Sequence, residues 1–233
     1  MTSDTAAVSR SPALRPEVIL AVLGLLTFAL VPIHINTIYS GLPAHPLFLH
    51  VPVILIPVVV VAALCLVVRP RWFVAHGVWI ALLAVIALGA LNLTMGAGNA
   101  LRADLGLNGG FGPAALVARH AHAASILRIL TILFTAVLIV SVAVFRTADR
   151  RITGIGLFDA PLAWVRSSAP LAAALRVLLA VLALASAYFV FHTGDLGAKA
   201  VWQGRVSGSH PGGYGGPGGP GGPSSLFGNP SGG

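Results

Sequence analysis

Five stretches of apolar sequence dominate this chain, and together they constrain its fold more than any other feature. They run over 17–38, 46–68, 72–95, 120–145 and 171–191. Each is close to or beyond the roughly 20 residues a helix needs to cross a hydrocarbon core of about 30 Å. Within lipid every backbone N–H and C=O must find a partner inside the protein, so a spanning segment is a helix or a strand of a closed barrel. The runs show no period-two alternation, which sets the barrel aside. The expected fold is therefore all-α: a polytopic membrane helix bundle with five transmembrane helices. A four-helix core occupies 45–203, and one N-terminal helix, 17–40, precedes it. Residues 1–16 form a polar cytoplasmic segment. The Gly/Pro-rich stretch 204–233 is expected to be a disordered extracytoplasmic tail, with Tyr214 and Phe227 as its only stickers.

Composition supports the same class. Charged residues are 9% of the 233 and apolar residues 57%. A soluble domain carries about 25% charged residues, so this chain cannot coat a soluble globule. Cys65 is the single cysteine, which leaves no intramolecular disulfide and no thiolate cluster. The polar start with Arg10 and Arg15 is like the n-region of a signal peptide, but no small-x-small site follows it. An uncleaved first helix that also targets the chain is expected.

The net charge of +8 would suggest nucleic acid in a soluble domain, but in a membrane protein it reports orientation. Arg10, Arg15, Arg69, Arg71, Arg146, Arg150, Arg151, Arg166 and Arg176 fall on one side of alternating spans. Arg102, Arg119, Lys199 and Arg205 fall on the other. The excess places the N-terminus in the cytoplasm and the C-terminus outside, in a bacterial plasma membrane, with lipid as the surroundings and no nucleic-acid partner. The linker 147–170 contains GIGLFDAPLAWV, expected at the interface with Phe158 and Trp164 as anchors. Pro57 falls inside the second span, where it frees a carbonyl near residue 53 and can kink the helix.

That topology sorts the histidines. His34, His45, His50, His120, His122 and His192 all map to the outer side, near helix ends. Neutral imidazole ligates haem iron, copper and zinc, and facing helices can hold a b-type haem between two histidines. His50 and His122 are the first ligand choices, at matching depth, with His45, His120 and His192 next. His120 and His122 are two apart, so only one of them enters a given interhelical site. Arg128 lies within a span, about 12 Å below the start of its helix, with Asn92 and Thr94 as polar candidates to meet it. Gly89, Ala90, Gly96 and Gly98 are small residues suited to close helix approach.

The function expected from these features is haem b or transition-metal binding with electron transfer at an outer-face histidine cluster. One alternative is a non-catalytic accessory subunit of a larger membrane complex. A weaker one, invited by Arg128 alone, is a small-solute permease. No hydrolase triad, phosphate loop or c-type haem motif is present.

The stretch LPAHPLFLHVPVIL resembles the HPxxVHFP signature of the bacterial membrane-protein family catalogued as domain of unknown function 2231. The chain has HPxxxHxP from His45 to Pro52, with Val51 where that family usually has Phe. RHAHAASILRI is similar to the family's histidine-bearing third core helix, and FHTGDLGAKAVWQG to its Gly-rich close. The resemblance covers about 45–204. It departs where the family often has YRHG after its last helix: here the chain has Lys199-Ala200-Val201, with its histidine earlier, at His192. The resemblance implies a four-helix core. Through relatives fused to Rieske or c-type cytochrome modules, it also implies redox work at the outer face, with a membrane redox complex as partner.

Overall fold

The structure, a computed structural model, describes residues 16–30, 33, 35–107, 113–146 and 156–202. The expectations for 1–15, His34, His210, the linker 147–155 and the tail 204–233 lie outside those residues. The elements are α1 (Pro16–Leu26), α2 (Ala44–Phe48), α3 (His50–Val68), α4 (Trp72–Asp104), α5 (Pro113–Arg146), α6 (Gly156–Ser167) and α7 (Ala169–Trp202). Leu49, itself in helical conformation, joins α2 to α3, so Ala44–Val68 makes one span. The other spans are Trp72–Asp104, Ala114–Arg146 and Ala169–Trp202. The chain is a helical membrane bundle, with four long apolar helices and a shorter N-terminal one.

Spans of 33 or 34 residues are about 50 Å long at 1.5 Å per residue, well beyond the hydrocarbon core. Their ends therefore project into the headgroup region, where Arg102, Asp104, Asp195 and Lys199 stay hydrated. Apolar side chains cover the outside of the bundle as well as filling its interior. Val68, Leu25, Phe191, Trp79 and Ile54 are among the most exposed large side chains, as lipid contact allows. The interior is small and tightly filled: Ile56, Val59, Ala63, Leu66, Ala81, Leu138, Leu179 and Ala183 are all buried. Gly77 leaves only 3.1 Å between its missing Cβ and Val142, so α4 and α5 close against each other there. Phe73 packs against Phe145 at 5.0 Å beside it.

The helices form a ring in which α3 contacts α4, α4 contacts α5, α5 contacts α7 and α7 returns to α3. α3 continues through Pro57 without a break in its helical assignment. α6 lies against α5 and α7, with Trp164 exposed as an interfacial anchor would be; the Phe158 side chain is outside the described set.

The first apolar run departs from the expected 17–38 helix. Its regular part is α1 plus a 3-10 turn at Thr27–Leu30, about 22 Å of helix, shorter than the hydrocarbon core. The sequence accounts for the stop: Pro32 has no N–H to continue the ladder and disfavours helix in the residue before it. This segment is still firmly docked. Glu17, 2% exposed, accepts a hydrogen bond from Arg146 on α5 at 2.8 Å. At its other end the Asn92 Nδ2 donates to both the carbonyl and the hydroxyl of Thr27, each at 3.1 Å.

Candidate functional site

His45 is placed by the turn that opens α2. Residues 36–44 fold back on themselves: Thr37 bridges to Pro43, and Ala44 N–H donates to Asn36 O at 3.1 Å. Ser40 and Gly41, at φ 57° and 75°, make the reversal. Pro46 falls in the first turn, where a missing N–H costs nothing. His45 is therefore held at the first turn of α2, facing α4. Its Nδ1–H donates to the Thr94 carbonyl at 3.0 Å. His120 sits about two turns into α5 and faces α7, where its Nδ1–H donates to the Thr193 carbonyl at 2.9 Å.

A main-chain carbonyl only accepts, so each Nδ1 must carry the hydrogen. The neutral ring then presents a bare lone pair at Nε2, the atom that ligates metals. The two rings meet at a centroid separation of 6.2 Å with planes 84° apart. Two imidazoles sharing one ion through metal–nitrogen bonds of about 2.0–2.1 Å have centroids roughly 5–6.5 Å apart, depending on the nitrogen–metal–nitrogen angle. The 6.2 Å separation falls within that range, and each ring has a backbone carbonyl behind its Nδ1, an arrangement that metal-ligating histidines commonly share.

The other candidates lie elsewhere. His50 is exposed, with only a 3.4 Å contact from Nδ1 to Leu47 O in its own turn. His122 is exposed, on the opposite side of α5 from His120. His192 is exposed on α7 and stacks on Tyr188 at 5.8 Å and 7°. None of these three has a ring contact with another histidine among the described residues. No group of three or more His, Cys, Asp or Glu side chains comes together among those residues either.

Asn92 does not meet Arg128 by any hydrogen bond; its amide is committed to Thr27, and Thr94 Oγ1 to the Ala90 carbonyl. Arg128 instead lies over the Phe28 ring at 5.4 Å, and its buried Nε has no hydrogen-bond partner. The apolar crevice between α3, α4 and α5, lined by Ile56, Val59, Ala84, Ala87, Thr131, Phe134 and Thr135, has no room for a water molecule and carries no titratable group.

Sequence reasoning missed Thr193 and Gly197 in the pair's surroundings and gave Thr94 and Gly98 other roles. Gly98 permits close approach, but of an imidazole: a Cβ there would fall 2.8 Å from His45 Nδ1. The spacing Thr-x-x-x-Gly occurs in both TMGAG and TGDLG and was the available signal.

No curated protein and no solved structure matches the chain. A family model described as "Predicted membrane protein (DUF2231)" matches residues 41–210, which takes in the four core spans, both paired histidines and the carbonyls that hold them, and leaves out α1. The chain is a member of that family of membrane proteins.

Proposed function

We propose that this membrane protein binds one redox-active centre, haem b iron or a single transition-metal ion, between His45 and His120, and that it transfers electrons. The observation that carries this reading is the pair of Nδ1–H bonds to the Thr94 and Thr193 carbonyls. They leave Nε2 unengaged by these bonds on each of two rings whose centroids are 6.2 Å apart. Imidazole suits iron, copper, nickel and zinc alike. Two axial imidazoles also complete the coordination of a haem iron. Bound there, such a centre would supply a one-electron couple, while the protein's own part is to hold both half-buried imidazoles oriented through the Thr94 and Thr193 carbonyls.

The basic residues support the placement: with the arginine-rich ends in the cytoplasm, the pair stands at the outer face of the plasma membrane. A membrane redox complex facing that side is the fitting partner. His50 and His122, first choices by depth, are available for separate surface ligation but lie apart from the pair.

Purified protein in mild detergent tests the reading through its reduced-minus-oxidised optical spectrum and metal content. The expected result is a Soret band or a stoichiometric transition metal. Absence of both contradicts the proposal.

A further inference from the structure

The two halves of the site share one construction. His45, at the head of the α2–α3 span, reaches the Thr94 carbonyl on α4, and the residue four positions beyond Thr94 is Gly98. His120, near the head of α5, reaches the Thr193 carbonyl on α7, and four positions beyond is Gly197. The helices correspond in the same way. One hairpin descends as α3 and returns as α4; the other descends as α5 and returns as α7; the contacts α4–α5 and α3–α7 close the ring.

The glycine spacing has a physical reason. A helical carbonyl at position i accepts the N–H of residue i+4, and its second lone pair remains free for an imidazole. Helical Cβ atoms tilt toward the N-terminus, so the side chain at i+4 stands over that carbonyl. A Cβ at 98 would lie 2.8 Å from His45 Nδ1 and 3.0 Å from its Cε1. A Cβ at 197 would lie 3.1 Å from His120 Cε1 and 3.2 Å from its Nδ1. Gly194, directly after Thr193, has open space instead. Glycine is otherwise unfavourable inside a helix.

We infer that Thr94–Gly98 and Thr193–Gly197 are two copies of one imidazole clamp, related by an approximate two-fold axis along the bundle, and that Gly98 and Gly197 are the positioning residues that keep His45 and His120 as Nδ1–H tautomers with both Nε2 lone pairs free. The clamps fix the class of ligand. Two lone pairs take an electron-pair acceptor, a metal cation or a shared proton. A quinone oxygen or an anion brings only further lone pairs and is refused. The cation part of this inference rests on the metal reading above; the clamps rest on geometry alone.

Side-chain ¹⁵N NMR of the full chain in nanodiscs reads the tautomers directly. His45 and His120 are expected as Nδ1–H, the form less favoured for a histidine side chain in water. Gly98→Ala shifts His45 alone, and the bulkier Gly197→Val shifts His120 alone. Gly194→Ala, on the same helix, shifts neither. With Co²⁺ as probe, affinity falls at least about tenfold in Gly98→Ala and Gly197→Val, the scale on which outer-shell partners act, and is unchanged in Gly194→Ala. A wild-type Nε2–H tautomer at either histidine overturns the clamps, as does a Gly98→Ala protein that keeps His45 as Nδ1–H. If the tautomers move as expected but the wild type takes up no Co²⁺ and carries no haem, the clamps stand and the metal reading fails.

Discussion

His120 and His122 show how much turns on helical rotation. Two residues apart on α5, they point to nearly opposite sides, so one faces His45 at 6.2 Å and the other is exposed. The same logic separates His45 from His50 across the α2–α3 join. The account therefore assigns distinct outcomes to residues that look alike in sequence. His45→Ala or His120→Ala should each abolish stoichiometric metal or haem, whereas His50→Ala with His122→Ala should leave it in place. Asn92 supplies a second residue-scale prediction. Thr27 opens the 3-10 turn that follows α1, and the Asn92 Nδ2 makes two donor contacts there, to its carbonyl and its hydroxyl. Asn92→Leu should cost about 1 kcal/mol, since side-chain hydrogen bonds between membrane helices average roughly 0.6 and reach about 1.7 kcal/mol. A thermal midpoint in detergent that does not fall would contradict this. Arg128, covered by Phe28, is predicted to be a packing residue: Arg128→Leu loses a cation–π contact of about 0.5–2 kcal/mol and leaves metal content unchanged.

At the scale of elements, α1 is the informative one. It lies outside the family match yet is pinned to the core at both ends, by Glu17 with Arg146 and by Thr27 with Asn92. The ion pair is lopsided, with Glu17 2% and Arg146 34% exposed. Removing the arginine strands a buried carboxylate, whereas Glu17→Gln keeps a hydrogen-bonding partner. Arg146→Leu should therefore destabilise by about 1–3 kcal/mol, below the 3–5 kcal/mol of a fully buried broken pair because Arg146 reaches solvent. Glu17→Gln should cost less. Equal shifts in unfolding midpoint would refute the burial argument. The element level also shows what sequence carries and what it leaves out. The four long spans are legible because lipid admits only segments that satisfy their own backbone, and hydrophobic length reports them. The early end of α1 was written in Pro32 but outweighed by the length of the apolar run. The pairing of His45 with His120 was not legible at all, because it depends on the register between antiparallel helices, which apolar side chains of similar size leave unspecified. That register is visible only in contacts such as Gly77 on Val142 and Phe73 on Phe145.

For the whole molecule, the bundle is two hairpins around a thin apolar core, with large apolar side chains outside, the His45–His120 pair towards one end and the Glu17–Arg146 pair towards the other. The proposed orientation rests on the uneven basic residues and has its own check. In a Cys65→Ser background, Lys199→Cys should react with a membrane-impermeant thiol reagent from outside the cell and Arg71→Cys should not. The reverse pattern would move the histidine end to the cytoplasm and, with it, any electron-transfer partner. The central claim is that His45 and His120 together hold one centre. Its most direct measurement is the amount of metal or haem bound per chain in wild type, His45→Ala, His120→Ala and His50→Ala/His122→Ala proteins purified side by side. The account predicts one equivalent in the wild type, none in either single variant and one in the double variant. A full equivalent retained in His45→Ala or His120→Ala would contradict it.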